Sequence, residues 1–270
     1  MNILIVTQYF WPENFRINDL VEELVKKGNE VTVLTGKPNY PEGSFYKGYS
    51  FCSPMREKYK GSKIVRTPMI PRGKSKWMLV LNYLSFALFG SLTGLIYCRS
   101  KYDVVFAFQP SPITLVIPGI ILKKIYKIKL VLWVQDIWPD TLVGVLNLRS
   151  KLVLTLVDKL VRFIYKHTDR ILVTSDGFIQ KIVSQGQPLE KLEYFPQWAE
   201  SCYQPLKPNW KSNLAKKIPH GFVIMFAGNI GEAQDFPAII DAAEYLRSEN
   251  VRWLIVGDGR MNDWLKAEVI

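Results

Sequence analysis

The sequence has 270 residues and is 48% hydrophobic and 22% charged, a balance typical of a folded globular protein and not of a disordered chain. Its three cysteines lie far apart and its two histidines cannot form a zinc site alone, so no metal site is predicted. The odd cysteine number and the missing disulfide pattern favour a reducing, cytoplasmic compartment.

The first 200 residues alternate between predicted strands and helices. Short apolar runs predict buried strands at 3–7, 31–35, 64–67, 103–108, 130–134, 170–174 and 192–195. The first helix presents Ile17, Val21 and Leu24 on one face and ends at Gly28. The stretch 36–61 is rich in glycine and proline and is predicted to be a long loop. This order predicts an α/β protein with a right-handed, Rossmann-like parallel sheet.

A 22-residue stretch without charge, 77–98, is the most unusual part of the chain. Its leucines recur at helical spacing, but asparagine, serine, threonine and glycine dilute its apolar character. Three interpretations remain open: a helix lying in a membrane interface, a buried helix of the α/β domain, or a membrane span. A span is the least favoured because it would divide the strand–helix–strand order.

The formal net charge of +11 favours an anionic partner. Lysines and arginines precede the apolar stretch 77–98 and follow the predicted helix 113–126, and basic residues beside apolar segments fit an anionic membrane surface. No zinc-finger spacing or RNA-binding aromatic motif is present, so no nucleic-acid partner is expected. An ordinary solvated basic face is the alternative.

A second unit begins after a change of composition. Pro205, Pro208 and Pro219 mark a linker, which predicts domains at 1–204 and 205–270. Residues 222–227 then predict a strand, 228–231 a tight glycine turn, and Asp235 the start of a helix. A glycine turn before a helix N-terminus suits a diphosphate, because free backbone amides converge there. The second Rossmann-like domain is expected to be incomplete, since its strands and helices take up only about 50 residues.

The strand at 130–134 ends in the candidate chemistry of the first domain. Gln135 and Asp136 follow it, and ligands of open α/β sheets bind beyond the carboxyl ends of the strands. A structural role for Asp136, capping the next turn, is the alternative. The loop after the first strand, 8–16, contains no glycine, which argues against a dinucleotide-dependent oxidoreductase.

Five segments carry a family resemblance, and in one-letter code they are QYFWPENFRIND at 8–19, GKPNYP at 36–41, QPSP at 109–112, WVQDIWP at 133–139 and FAGNIGEAQ at 226–234. With them the sequence resembles family 4 glycosyltransferases of the two-Rossmann-domain (GT-B) type, above all the bacterial O-antigen and colanic-acid enzymes of the fucosamine-transferase subgroup. The resemblance implies a retaining transfer of sugar from a nucleotide-sugar, expected to be UDP-linked, to a lipid-linked saccharide. It implies no metal or other cofactor. The expected location is cytoplasmic and peripheral, at the inner face of the bacterial plasma membrane, in O-antigen or capsule biosynthesis.

The resemblance also implies roles for individual residues. Asp136 and Gln135 are the candidate catalytic pair, in which Gln135 replaces a histidine of many relatives and can orient a group but not transfer a proton. The candidate acceptor-binding residues in the N-terminal domain are Glu13, Asn14, Arg16 and Ser111. The candidate donor-binding residues in the C-terminal domain are Gly228, Asn229, Gly231 and Gln234.

Two departures from the family are visible. Asn229 and Gln234 stand where many relatives have an arginine and a lysine, so the diphosphate would depend on backbone amides. The Glu-x₇-Glu segment that grips the donor in the family would lie beyond Ile270, so a C-terminally truncated second domain is expected. The alternative function is therefore a catalytically inactive remnant that binds acceptor or membrane.

Overall fold

The structure is a computed structural model and describes residues 1–53, 55–146, 150–199, 203–205, 207, 212–213 and 215–269. Within these, the side chains of 144–146 and 233 are left out. The contacts divide the chain into one compact unit of residues 1–141 and 148–200 and a second of 142–147 and 201–270. Much of the predicted linker, including Pro208, lies outside the described residues.

An eight-stranded sheet with the spatial order β3-β4-β2-β1-β5-β6-β7-β8 forms the centre of the first unit. Its strands are β1 (Asn2–Val6), β2 (Glu30–Thr35), β3 (Arg56–Tyr59), β4 (Ser62–Arg66), β5 (Val104–Gln109), β6 (Lys129–Val134), β7 (Arg170–Val173) and β8 (Leu192–Tyr194). All neighbouring pairs are parallel except β3 with β4. The predicted α/β class with a Rossmann-like parallel sheet is thus confirmed, with one antiparallel edge strand added.

Helices cover both faces of this sheet. They are α1 (Arg16–Lys26), α2 (Lys76–Tyr97), α3 (Ile117–Tyr126), α5 (Lys151–His167) and α6 (Asp176–Ser184). Helix α4 (Asp140–Leu146) begins in this unit, and its residues from Leu142 belong to the second unit. Helix α1 packs Ile17 and Val21 on the face that carries Ile3 and Ile5. Helix α2 lies on the opposite face, where it approaches Leu34 and contacts α3. Both faces of the sheet are therefore covered by helices, which agrees with the continuous apolar runs of its strands.

Strand β6 is central to the core, and its end fixes the position of the loop that follows it in the sequence. Trp133 is fully buried, and its indole Nε1 donates a hydrogen bond to the Phe195 carbonyl at 3.1 Å. Its ring stacks on Trp198 at a centroid distance of 5.6 Å. These contacts anchor the end of β6, so the two residues that follow it are held at the carboxyl edge of the sheet.

Strand β3 lies inside the stretch predicted to be loop. Only four residues, Arg56–Tyr59, form it, and their side chains alternate between exposed and partly buried. Long-range contacts hold it: it pairs with β4, and the buried guanidinium of Arg66 binds the Glu57 carboxylate at 2.9 Å. A segment this short and polar carries little periodic signal, so its pairing could not be read from the sequence.

Helix α2 covers the unusual apolar stretch and connects β4 to β5 of the same sheet. Among the described residues, it is the one helix long and apolar enough to cross a bilayer, and half of the residues in its most apolar 18-residue segment are buried. The structure therefore gives it the place of a half-buried crossover helix within the first unit.

The second unit has a small α/β layer of its own. Its described elements are β9 (Phe222–Asn229), α7 (Phe236–Tyr245), β10 (Val251–Asp258) and α8 (Asn262–Glu268). The two strands are parallel, and Ile230, Phe236 and Leu265 form a compact apolar cluster. Strand β9 continues through Gly228 and Asn229, so the tight turn predicted at 228–231 is wrong in its first half. The strand extends because both residues pair with the end of β10.

Candidate functional site

Three neighbouring strands of the first unit end at one edge of the sheet. Strands β1, β5 and β6 are parallel neighbours, so the residues after Val6, Gln109 and Val134 share this edge. The Gln135 amide donates to the Gln109 carbonyl at 3.0 Å, which ties the last two ends together. Such an edge is where open α/β sheets bind ligands.

A pocket of about 310 Å³ opens at this edge. Its lining includes three residues predicted from the sequence, Asn14, Arg16 and Gln135. Gln135 accepts a short hydrogen bond on Oε1 from Gln197, while its Nε2 is buried without a partner among the described residues. A buried donor without a partner is costly, so a ligand oxygen in this pocket would gain a hydrogen bond.

Asp136 lies next to this pocket in the chain, and its carboxyl group is largely withdrawn from water. Burial raises the pKa of Asp136 to about 6, since the charged form loses solvation. The group is therefore mostly ionised at pH 7.5 although it is poorly solvated. A carboxylate held in this state is a strong hydrogen-bond acceptor for a hydroxyl group, and it is common at catalytic sites.

A tyrosine that the sequence did not indicate, Tyr83, lies near both Ser111 and Asp136. Burial raises the pKa of Tyr83, Asp136 raises it further, and Arg72 and a hydrogen bond with Ser111 lower it. Arg72 also donates to the Tyr9 hydroxyl at 3.2 Å. Tyr83 lies on α2 and Arg72 precedes that helix, so both were interpreted only as parts of an apolar stretch and its basic flank.

Glu13 has a different place from the one predicted. Its carboxylate is buried and accepts hydrogen bonds from the backbone amides of Asn39 and Tyr40, both at 2.8 Å, and of Phe10 at 3.2 Å. Burial outweighs these amides and raises the pKa of Glu13 to about 7. Because both oxygens are engaged by backbone, we assign Glu13 to holding two loops together and not to direct acceptor contact.

The predicted donor residues lie at the carboxyl edge of the second unit's sheet. Gly228 pairs with Gly257 across the two strands, and the Ile230 amide donates to the Asp258 carbonyl at 2.9 Å. A Cβ on Gly257, whose φ is +154°, would lie 1.8 Å from the Gly228 carbonyl oxygen, so only glycine fits there. The ends of both strands therefore lie side by side, and the turns that follow them contain Gly231 and Gly259.

The side chains around these turns are polar, but few are basic. Asn229 is exposed, and the Oε1 of Gln234 is buried without a partner among the described residues. Asp258 caps the adjacent turn by accepting from the Gly259 amide at 2.7 Å. Arg260 is an exposed cation beside this turn, and sequence reasoning did not single it out.

The comparison with known families bears directly on this arrangement. Residues 14–198, more than half of the chain, match the family described as glycosyl transferase 4-like domain. The protein belongs to the glycosyl transferase 4-like family. This confirms the resemblance given by the five sequence segments.

Relatives of this glycosyl transferase 4-like protein agree with the family. The chain is 28% identical over 96% of its length to WcaI of Escherichia coli, whose name describes a colanic acid biosynthesis glycosyl transferase. It is 26% identical over 64% of its length to WbjE of Pseudomonas aeruginosa, named as a glycosyltransferase. The chain spans 66% of the first relative and 44% of the second.

Solved structures show the same fold at low sequence identity. Anabaena HepE in complex with UDP matches 99% of this chain and 64% of its own with a TM-score of 0.59 and 14% identity. The apo structure of OtsA matches 99% of this chain and 68% of its own with a TM-score of 0.64 and 9% identity. The fold of this glycosyl transferase 4-like protein is thus the one of GT-B glycosyltransferases.

Proposed function

We propose that this protein transfers a sugar, with retention at the anomeric carbon, from a UDP-linked nucleotide-sugar to a lipid-linked saccharide of a bacterial surface polysaccharide. The observation that carries the proposal is the desolvated carboxylate of Asp136 beside an open pocket at the carboxyl edge of the first sheet. The family match, the colanic-acid relative and the UDP bound to HepE support it. We expect no metal to be needed.

The acceptor is proposed to bind at the edge of the first sheet. Its attacking hydroxyl donates a hydrogen bond to the Asp136 carboxylate, while the free Nε2 of Gln135 donates to a sugar oxygen. The hydroxyl oxygen forms the new bond to the anomeric carbon as the bond from that carbon to the diphosphate oxygen breaks. The nucleoside diphosphate leaves with the electron pair, and the hydroxyl proton ends on the diphosphate.

The diphosphate is proposed to bind at the glycine turns of the second unit. Gly228 and Asn229, which end β9 just before these turns, are exposed and give a phosphate close access, and Arg260 is an exposed cation at this edge. Glu232, Asp235 and Asp258 also lie along these turns and oppose an anion. This acidic surrounding favours weak donor binding, and it supports the second candidate function, a protein that binds acceptor or membrane without turnover.

A transfer assay separates the two functions. The protein is incubated with radiolabelled UDP-sugars in turn and with lipid-linked saccharides extracted from bacterial membranes. The proposal predicts label in the lipid fraction with at least one donor, sensitive to mild acid that cleaves lipid diphosphates. Absence of label with every donor, together with binding of the lipid-linked saccharide, would establish the non-catalytic function instead.

The proposed location is the inner face of the plasma membrane, where a nucleotide-sugar from the cytoplasm can meet a lipid-linked acceptor. The excess of basic residues supports attraction to anionic lipids. Fractionation of cells should recover the protein with the membranes at low salt. Recovery only in the soluble fraction would contradict this location.

A further inference from the structure

The polarity of helix α2 is inverted relative to an ordinary surface helix. Its buried side is rich in polar and small residues, among them Asn82, Ser85, Ser91 and Thr93, and Phe86 is the large apolar side chain buried with them. Six of its large apolar side chains instead face away from the protein, and we call them the α2 stripe: Trp77, Leu81, Leu84, Leu88, Leu92 and Ile96, each between 47% and 80% exposed. A soluble protein normally buries such a stripe and exposes the polar face.

The buried side of α2 is fixed to the first unit by specific contacts. Gln8 donates to the Asn82 side-chain oxygen at 2.6 Å, and Asn82 donates to the Ile70 carbonyl at 2.6 Å. A Cβ on Gly94 would lie 2.8 Å from Leu122 of α3, so the helix is seated as closely as glycine allows. If α2 spanned a membrane, these contacts would break. A partner that covers the exposed stripe must therefore bind while α2 stays on the first unit.

The charge around the stripe identifies that partner. Residues 67–102, which contain α2, include five lysines and arginines and no aspartate or glutamate, and four of these five cations are exposed. Lys74 and Lys76 lie at the start of α2, and Arg99 and Lys101 follow its end. A second copy of the chain docked through the same face would bring these cations together, which opposes self-association. An anionic lipid surface complements both the charge and the apolar stripe.

We propose that the α2 stripe is a lipid-docking surface, with α2 lying in the plane of an anionic membrane and its polar side remaining on the protein. The 22 residues of α2 give a docking edge about 33 Å long. Tyr83, on the same helix, forms a hydrogen bond with Ser111 and lies near enough to Asp136 for that carboxylate to raise the pKa of Tyr83. Docking therefore brings the bilayer within about one helix diameter of the candidate acceptor site. This last step rests on the proposed function, whereas lipid docking itself does not.

Vesicle binding tests the docking surface. The wild type is sedimented with vesicles of phosphatidylethanolamine and phosphatidylglycerol, and of phosphatidylcholine alone. The stripe variant replaces Leu84, Leu88 and Leu92 with glutamine. The control variant replaces Val183, Leu189 and Tyr194, which are exposed apolar residues near the opposite edge of the sheet, with glutamine. Circular dichroism confirms that both variants are folded.

The partition coefficient of the stripe variant for anionic vesicles should be about a hundredfold lower than that of the wild type. Burying the exposed half of one leucine side chain in lipid changes the partition coefficient by about fivefold, and three leucines are replaced. The control variant should bind like the wild type, and phosphatidylcholine should bind more weakly than anionic vesicles. Equal losses in both variants, or no binding to anionic vesicles, would overturn the proposal. If the wild type is a dimer and the stripe variant is a monomer, the stripe is a self-association surface and the proposal is wrong. If the protein stays in the membrane during extraction at pH 11, α2 is a membrane span and the proposal is wrong.

Two further readouts keep the test independent of folding and of turnover. Trp77 is 80% exposed, so its emission should shift to the blue on anionic vesicles, measured as the difference between wild type and Trp77→Phe. An unchanged difference spectrum would contradict docking at α2. Transfer to a water-soluble saccharide should be equal in wild type and stripe variant. Vesicle binding without any transfer would overturn the proposed function alone, and transfer without vesicle binding would overturn the docking surface alone.

Discussion

Replacing Asp136 with asparagine should make the protein more stable at neutral pH. Burial raises the pKa of Asp136 from 3.8 to about 6. The folded state therefore holds the proton more tightly than the unfolded chain, and ionisation of the group opposes folding. A shift of about two units corresponds to about 3 kcal/mol above pH 6, and partial exposure of the side chain reduces the expected gain to about 1–2 kcal/mol.

The pH dependence of this gain gives the sharper test. Well below pH 3.8 the carboxyl group is protonated in both states, so Asp136 and asparagine are equivalent. As the pH rises towards 6, the wild type loses stability because only the unfolded chain ionises freely. The gain from asparagine should therefore be full at pH 7.5 and about one third of that at pH 4.5.

Urea unfolding at pH 7.5 and pH 4.5 measures the gain in the free energy of unfolding of Asp136→Asn, and Asp140→Asn is the matched control. Asp140 is exposed and pairs with Lys181 at 2.7 Å, so its replacement should cost at most about 1 kcal/mol. A lower free energy of unfolding for Asp136→Asn than for the wild type at pH 7.5 would refute the reasoning. A gain of the same size at pH 4.5 would also refute it.

Three other substitutions test the supports of the two candidate sites. Glu13→Ala leaves three backbone amides without their acceptor and should cost at least about 3 kcal/mol in urea unfolding, whereas Glu13→Gln keeps an acceptor oxygen and should cost less. Gly257→Ala should abolish hydrogen-exchange protection in β9 and β10, while Gly228→Ala, whose Cβ would meet only a ring at 3.4 Å, should keep it. Trp133→Phe should cost about 2–3 kcal/mol, because it loses the hydrogen bond to Phe195 and contact area; a neutral result would contradict the anchoring of β6.

Local patterns were sufficient to predict most of the first unit. Buried parallel strands carry continuous apolar runs, and this signal located the ends of β1, β5 and β6 and hence Gln135 and Asp136 at the edge of the sheet. Predicting β3 was not possible, because its four polar residues are held by β4 and by the ion pair of Glu57 with Arg66. Such long-range contacts leave no periodic pattern.

The candidate site also contains some residues that the sequence predicted and others that it did not. Asn14, Arg16 and Gln135 were expected near one another and line one pocket. Arg72 and Tyr83 reach the site from a segment that the sequence describes only as apolar and basic. Periodicity revealed the leucines of α2 but not their direction, so an interfacial helix, a buried helix and a span all remained open, whereas the structure shows that the stripe is exposed. The polar side of α2 decides this, through contacts with residues far away in sequence.

The most direct measurement of the central claim is the rate of sugar transfer to a lipid-linked saccharide at pH 7.5 by wild type, Asp136→Asn and Asp140→Asn. If Asp136 holds the acceptor hydroxyl, Asp136→Asn should lower turnover at least about a hundredfold while remaining folded, and Asp140→Asn should match the wild type. Equal turnover in the wild type and Asp136→Asn would contradict the claim that the desolvated carboxylate at the edge of the first sheet serves the reaction.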